Sequence, residues 1–256
     1  MQLLQRAIGG VILNCTLPQT FDNECCWETV IKNGKYDLST PNDWVIDKLL
    51  QYRRTGISTF LDLGCGLGRH LKPMIGQYKT CVGFDISDSS IRKTAQSLSE
   101  SDEKFTLNMV RGHFNHLPFR DKAFETILAW RCIYLQDMNG IIKSIHEIKR
   151  ILSPGGHFIC SVRSTSNSLY YLGKEIGKEI EKNTFFFNNN MFPGLTYHFF
   201  TKGEILKLVR EFQLVEILNT TLSNTIFSQN VQIHKNDFWI LILRNKDNVT
   251  NESNTY

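Results

Sequence analysis

Phe60-Leu61-Asp62-Leu63-Gly64-Cys65-Gly66-Leu67-Gly68, with Arg69 behind it and Val82-Gly83-Phe84-Asp85 further on, decides how this chain is read. An apolar run ending in Asp62-Leu63 feeds a glycine-rich turn, and a second apolar run ends in the carboxylate of Asp85. Such a unit suits a nucleoside cofactor. The turn admits a polar tail close to the backbone, and the distant acid accepts hydrogen bonds from ribose hydroxyls. The glycine spacing is G-x-G-x-G rather than the G-x-G-x-x-G of a dinucleotide site. A carboxylate at Asp62 repels a pyrophosphate but attracts a cation such as the ammonium of a methionine moiety. That charge logic favours S-adenosylmethionine over NAD.

Outward from this stretch, strands and helices alternate. Residues 58–63 and 80–84 predict the first two strands, 105–110 and 124–130 the next two, and 157–162 the fifth. A helix over 41–54 precedes them, with Val45, Ile46, Leu49 and Leu50 along one face. The helix from Gly68 carries Pro73, which has to lie near its first turn or kink it. Asp88 is placed to cap a helix running to Ser99. Ile141, Ile142, Ile145, Ile148, Ile151 and Leu152 share one helical face, closed by Lys149-Arg150 and stopped by Pro154-Gly155. With final strands at 214–218 and 238–243, the pattern predicts an α/β fold: a doubly wound, mostly parallel seven-stranded sheet.

Residues 164–200 break that rhythm and are too long for a bare connection. A helix over 169–181 is expected there, with Phe185 to Phe187 in the core of a lid. Thr201-x-x-Glu204 is a capping box opening a helix to about Phe212. The expected organisation is one domain over 1–256: N-terminal cap helices to residue 57, a cofactor-binding core over 58–163, a substrate lid over 164–200, a final helix and strands over 201–244, and a flexible tail over 245–256.

Bulk properties exclude little. With 41% hydrophobic and 21% charged residues, the 256-residue chain is composed like an ordinary soluble domain. A net charge of +4 permits a nucleic acid partner without arguing for one. The seven cysteines are odd in number and scattered, and Cys25-Cys26 has no zinc spacing, so a reducing, cytoplasmic setting is expected and no metal site. No apolar run approaches the ~18 residues of a membrane span. Leu3 to Leu17 is broken by Arg6 and Asn14 and lacks a cleavage pattern, so no signal peptide is expected.

Leu61 to Arg69 resembles the first motif of the Rossmann-like (class I) S-adenosylmethionine-dependent methyltransferases. Three further stretches resemble that family in the right order. They are Val82 to Ser87, Gly112 to Phe119 with Ala123 to Ile127, and His146 to Gly156 with Glu147, Arg150 and Pro154-Gly155-Gly156. Trp27 to Tyr36, and Tyr197 to Thr201 with Glu204-Ile205, are similar to segments of its tellurite-resistance and thiopurine type, whose substrates are small molecules.

The resemblance implies S-adenosylmethionine as cofactor. It has Asp85 bonding the ribose hydroxyls, Ile86 packing on adenine, Gly64 and Gly66 meeting the methionine carboxylate, and Asp62 beside them. Cys65, Arg69, Phe114 and Trp130 complete the expected cofactor site. His113 stands where the family usually has an acid that accepts from the adenine amino group; a neutral ring nitrogen still accepts, a protonated one does not. Glu125 replaces the usual Asp at the head of the fourth strand. Arg131 points either to an anionic substrate or to a pairing with Asp62 or Asp137, and His198 is the candidate general base. The implied activity is methyl transfer to a small molecule. An RNA-modifying methyltransferase and a catalytically silent partner subunit are the alternatives.

Overall fold

The computed structural model describes residues 12–14, 23–32, 40–53, 58–98, 106–188, 193–221 and 235–246. The expectations for the leader at 3–17, for Tyr36 and for the tail beyond 246 lie outside those residues, apart from Ile12–Asn14.

The chain opens with β1 (Ile12–Asn14) and α1 (Asn23–Lys32), followed by α2 (Asp43–Gln51). Asn42 starts α2 by accepting from the Val45 N–H at 3.1 Å. The alternating units are then β2 (Thr59–Leu63) with α3 (Leu71–Met74), and β3 (Thr80–Asp85) with α4 (Asp88–Leu98). After them come β4 (Thr106–Arg111), β5 (Phe124–Ala129), α5 (Met138–Ile151) and β6 (Leu152–Arg163). The excursion between β6 and the last helix holds α6 (Ser168–Ile176), β7 (Lys178–Glu181), β8 (Thr184–Asn188) and β9 (Pro193–His198). Finally α7 (Lys202–Leu208) leads into β10 (Phe212–Thr221) and β11 (Asp237–Asn245).

Among the described residues the main sheet runs β1-β4-β3-β2-β5-β6-β11-β10, with β11 running opposite to the other strands. It therefore has the seven expected strands and one more. β1 pairs in parallel with β4, so the N-terminal region is not purely helical. Successive residues alternate faces, as a pleated strand requires. Phe60, Leu128 and Ile159 pack with Leu49 of α2, Met74 of α3 and Ile91 of α4. Leu61, Ile127 and Phe158 pack on the other face with Ile141, Ile145 and Ile148 of α5 and Ile205 of α7. Both faces are covered, which is why the strands read as apolar throughout.

Several local expectations change. The helix after Gly68 is a single turn, with Pro73 inside that turn as expected, and it ends where Ile75 becomes extended. α4 is capped by Ser87, whose hydroxyl accepts from Ser90 N–H at 3.1 Å; Asp88 instead pairs with Arg92. The helix expected over 169–181 stops at Ile176, and residues 178–181 form a strand. Thr201 and Glu204 do form a reciprocal capping box.

The excursion is a three-stranded antiparallel sheet, β7-β8-β9, whose buried Phe185 and Phe187 pack on the main core. At its root the Arg163 guanidinium is buried among the rings of Tyr134, Tyr197 and Phe238, at 5.2, 5.5 and 4.9 Å. It also donates to Asn236 and Asn167, which tie the start of β11 to the cap of α6.

The Glu147–Arg150 pair is a loop clamp. Glu147 accepts from Leu117 N–H at 2.8 Å, and Arg150 donates to Leu117 O, Phe119 O and Asp121 at 2.9, 2.7 and 2.8 Å. Arg150→Ala is expected to cost about 2 kcal/mol of stability in urea unfolding, discounted for its partial exposure. Arg150→Lys should recover little of it, since one ammonium cannot reproduce the fork.

Candidate active site

In an open parallel sheet a ligand sits beyond the carboxyl ends of the strands, where the strand order reverses. Here the reversal lies between β2 and β5, flanked by β3. Gly64 and Gly66 follow β2, Asp85 closes β3, and Trp130 and Arg131 follow β5. All five line one cleft at the carboxyl ends of these strands.

Backbone geometry makes the turn specific. Gly64 and Gly66 have φ of +69° and +54°, where a side chain is strained. A Cβ on Gly64 would lie 2.7 Å from the Cβ of Cys132, whereas one on Gly66 would meet no heavy atom within 4 Å. The first glycine is needed for packing, and the second leaves open space in the cleft. Gly64 N–H and Cys65 N–H both donate to Phe84 O, and Gly66 N–H donates to Asp85 Oδ2 at 2.9 Å.

Asp85 also accepts from Ser87 N–H through Oδ1 at 2.9 Å. Burial pushes its pKa up, against the pull of these N–H groups. With the Ile86 N–H also on it, the carboxyl keeps about one lone-pair site for a hydroxyl. Asp62 is more deeply buried, and its Oδ2 has no hydrogen-bond partner. Burial raises its pKa to about 8, with Arg69 opposing and nearby Asp85 reinforcing the shift. An orphaned carboxyl oxygen behind an open glycine turn fits the ammonium end of S-adenosylmethionine.

Ile86, His113 and Phe114 also line the cleft. His113 Nδ1 accepts from Asn115 N–H at 3.2 Å, so the neutral ring carries its proton on Nε2. Burial lowers its pKa. The expected acceptor role toward an amino group therefore falls to a nitrogen already engaged, and the free nitrogen is a donor.

Trp130 stacks on Trp44 at 6.1 Å. Arg131 is held at φ +63° by its N–H bond to Ser161 Oγ, with its guanidinium 5.1 Å from the Phe238 ring centre. Of its two expected acidic partners, Asp137 caps α5.

Asp62, Cys65 and Arg69 flank the turn but do not line the cleft, and neither does His198. His198 is buried, bonded through Nδ1 to Thr184 Oγ1 at 2.7 Å, and packed edge-on against Phe200. Burial lowers its pKa. Its position gives it no access to a reacting group. Trp27 does line the cleft, as do residues that the sequence did not single out, among them Ile31, Cys132 and Gln136. The Cys132 thiol donates to Leu63 O and stays protonated, because burial raises its pKa. No sequence signal marks these residues, since each is brought in by packing.

Residues 61–160 match the family model described as a methyltransferase domain. The chain resembles that family over less than half of its length. It is 28% identical over 102 residues to the demethylmenaquinone methyltransferase of Desulfitobacterium hafniense (strain Y51), covering 38% of this chain and 39% of that protein. Another such enzyme, from Lactiplantibacillus plantarum, is 24% identical over 50% of this chain and 54% of its own length, so the chain spans about half or less of these relatives. Among solved structures, an S-adenosylmethionine-dependent methyltransferase from Methanosarcina mazei superposes with a TM-score of 0.65 at 18% identity, covering 78% of this chain and 97% of that one. The N-methyltransferase NodS from Bradyrhizobium japonicum, in complex with S-adenosylhomocysteine, has a TM-score of 0.60 at 14% identity, over 86% and 98% of the two chains. These structures share the fold of the methyltransferase domain.

The state of Asp62 yields a test with a definite sign. Its folded pKa, about 8, lies above the unfolded value near 3.8, so the native state favours the protonated form. The resulting stability is present below pH ~4 and lost as pH rises through 8. A bound cation reverses that preference. Titrating S-adenosylhomocysteine below pH 8 should therefore release a proton, measured by calorimetry in buffers of different ionisation enthalpy. Asp62→Asn should abolish the release, weaken binding, and remove the loss of stability between pH ~4 and 8 in the free protein.

Proposed function

We propose that the protein transfers a methyl group from S-adenosylmethionine to a small-molecule nucleophile, leaving S-adenosylhomocysteine. One observation carries this reading: the orphaned Asp62 oxygen lies behind a glycine turn whose Gly66 N–H is held by Asp85, at the reversal point of a methyltransferase domain. Asp85 would hold the ribose hydroxyls, Ile86 and Phe114 the adenine faces, and the backbone of Gly64 and Gly66 the amino-acid end, with Asp62 balancing its ammonium. When bound, the cofactor supplies a methyl group that is already electrophilic.

The chain then has to orient the acceptor and exclude water. Trp27, Ile31 and Trp130 wall the cleft with apolar surface. Because His198 lies outside the cleft, we read the acceptor as one that needs no base from that residue, such as a thiolate or free amine. Arg131, strained in the left-handed region at the end of β5, is placed to take an anionic group on the acceptor. The β7–β9 excursion is read as the lid that selects this acceptor, as in the tellurite-resistance and thiopurine type.

Calorimetry tests the cofactor half of this reading. Wild type should bind S-adenosylhomocysteine with micromolar Kd, and Asp85→Ala should weaken it by roughly 100-fold. An absence of binding to the wild type would overturn the reading. For the acceptor half, Arg131→Gly relieves the backbone strain while removing the guanidinium. It should raise KM for an anionic acceptor with the cofactor Kd unchanged; an unchanged KM would remove Arg131 from the acceptor site.

A further inference from the structure

α1 lies over the cleft, contributing Trp27 and Ile31 to its wall. Between these two, Glu28 faces the start of α4. Its Oε2 accepts from the Ser87 hydroxyl at 2.7 Å and the Ser89 N–H at 3.1 Å, and its Oε1 accepts from the Ser89 hydroxyl. Lys93 of α4 adds a second tie, donating to Ile31 O at 3.0 Å. We infer that Glu28 is a positioning residue for the cofactor: it fastens α1 over the cleft and, through Ser87, fixes the carboxylate of Asp85.

The geometry for this is continuous. Ser87 gives its hydroxyl proton to Glu28, its N–H to Asp85 Oδ1, and accepts from Ser90 N–H, so one serine joins the roof, the ribose-binding acid and the cap of α4. Burial alone would raise the pKa of Glu28. Hydrogen bonds from Ser89 and Ser87, with Lys32 beside it, instead bring it down to about 2, so the carboxylate stays charged throughout the working range. An exposed ion pair would contribute little. This carboxylate is partly buried and receives three donors from one corner of the fold, including an N–H in the first turn of α4, where a negative charge is favoured. A cofactor seated on Asp85 cannot leave past α1 without that corner opening.

This inference rests on the cofactor reading above, so its test carries a readout that needs no ligand. Hydrogen exchange of the full chain is compared for wild type, Glu28→Gln and Ser89→Ala, alongside stopped-flow association and dissociation of S-adenosylhomocysteine. Exchange in residues 23–32 should rise roughly tenfold in both variants, with exchange in β2 and β3 unchanged. Dissociation should speed up by a similar factor, with association altered far less. Unchanged exchange in α1, or faster exchange there with unchanged dissociation, would overturn the proposal. So would a rise in β2 and β3 matching that in α1, which would make Glu28 a general stability residue. If the wild type binds no S-adenosylhomocysteine, the cofactor reading fails, and the exchange comparison still decides whether Glu28 fastens α1.

Discussion

The hydrogen bond from Gly66 N–H to the Asp85 carboxylate is the constraint on which the cleft depends. Two parallel strands end side by side, and the chain leaving β2 has to turn without falling across the end of β3. Phe84 O takes the first two N–H groups of the turn, Asp85 takes the third, and Thr94 Oγ1 donates to Gly66 O from α4. The turn is thereby tied to its neighbour strand and to α4, in addition to its own bond from Gly68 N–H to Cys65 O. Asp85 thus serves twice, as a structural acceptor and as an acid with a lone-pair site to spare. Losing it would disturb the shape of the turn as well as the hydroxyl contacts.

The charges around this bond are arranged against the free state. Burial disfavours ionisation of Asp62, Arg69 opposes that only in part, and the nearby Asp85 adds a smaller push in the same direction. Buried carboxyls without full pairing lower stability, and such groups persist where a ligand completes them. Glu28 adds a third carboxylate near Asp85, and its own hydrogen bonds keep it charged. In the free protein Glu28 is thus the carboxylate held charged, while burial favours the neutral form of Asp62.

Most of the core was legible in the sequence, because parallel strands covered on both faces leave unbroken apolar runs and their turns demand glycine. The ligand-facing ends of β2, β3 and β5 followed from those runs. His198 was misplaced because an aromatic segment with a histidine looks the same whether it faces a cleft or a core; only the pairing of β8 with β9 buries it on Thr184. The turn to β-structure after Ile176 was hidden because Lys178–Glu181 has a single apolar residue, Ile180, among three charged ones, and so gives no period-two signal against the helical pattern before it. β1 is three residues long and gains its identity only from pairing with β4. Glu28 was missed for a different reason. Its meaning lies in serines about sixty positions away, and no local pattern announces a partner at that distance.

The three-ring cage around Arg163 has a consequence for how this protein can change over evolutionary time. The excursion is secured chiefly at its root, by one cation, two asparagines and rings from Tyr134, Tyr197 and Phe238. Its outermost strand, Lys178–Glu181, is exposed along its whole length and carries little of the packing. Substitutions can therefore accumulate on that outer strand while the root holds the excursion in register. A fold built this way can try new molecular partners at its rim without renegotiating the chemistry at its centre.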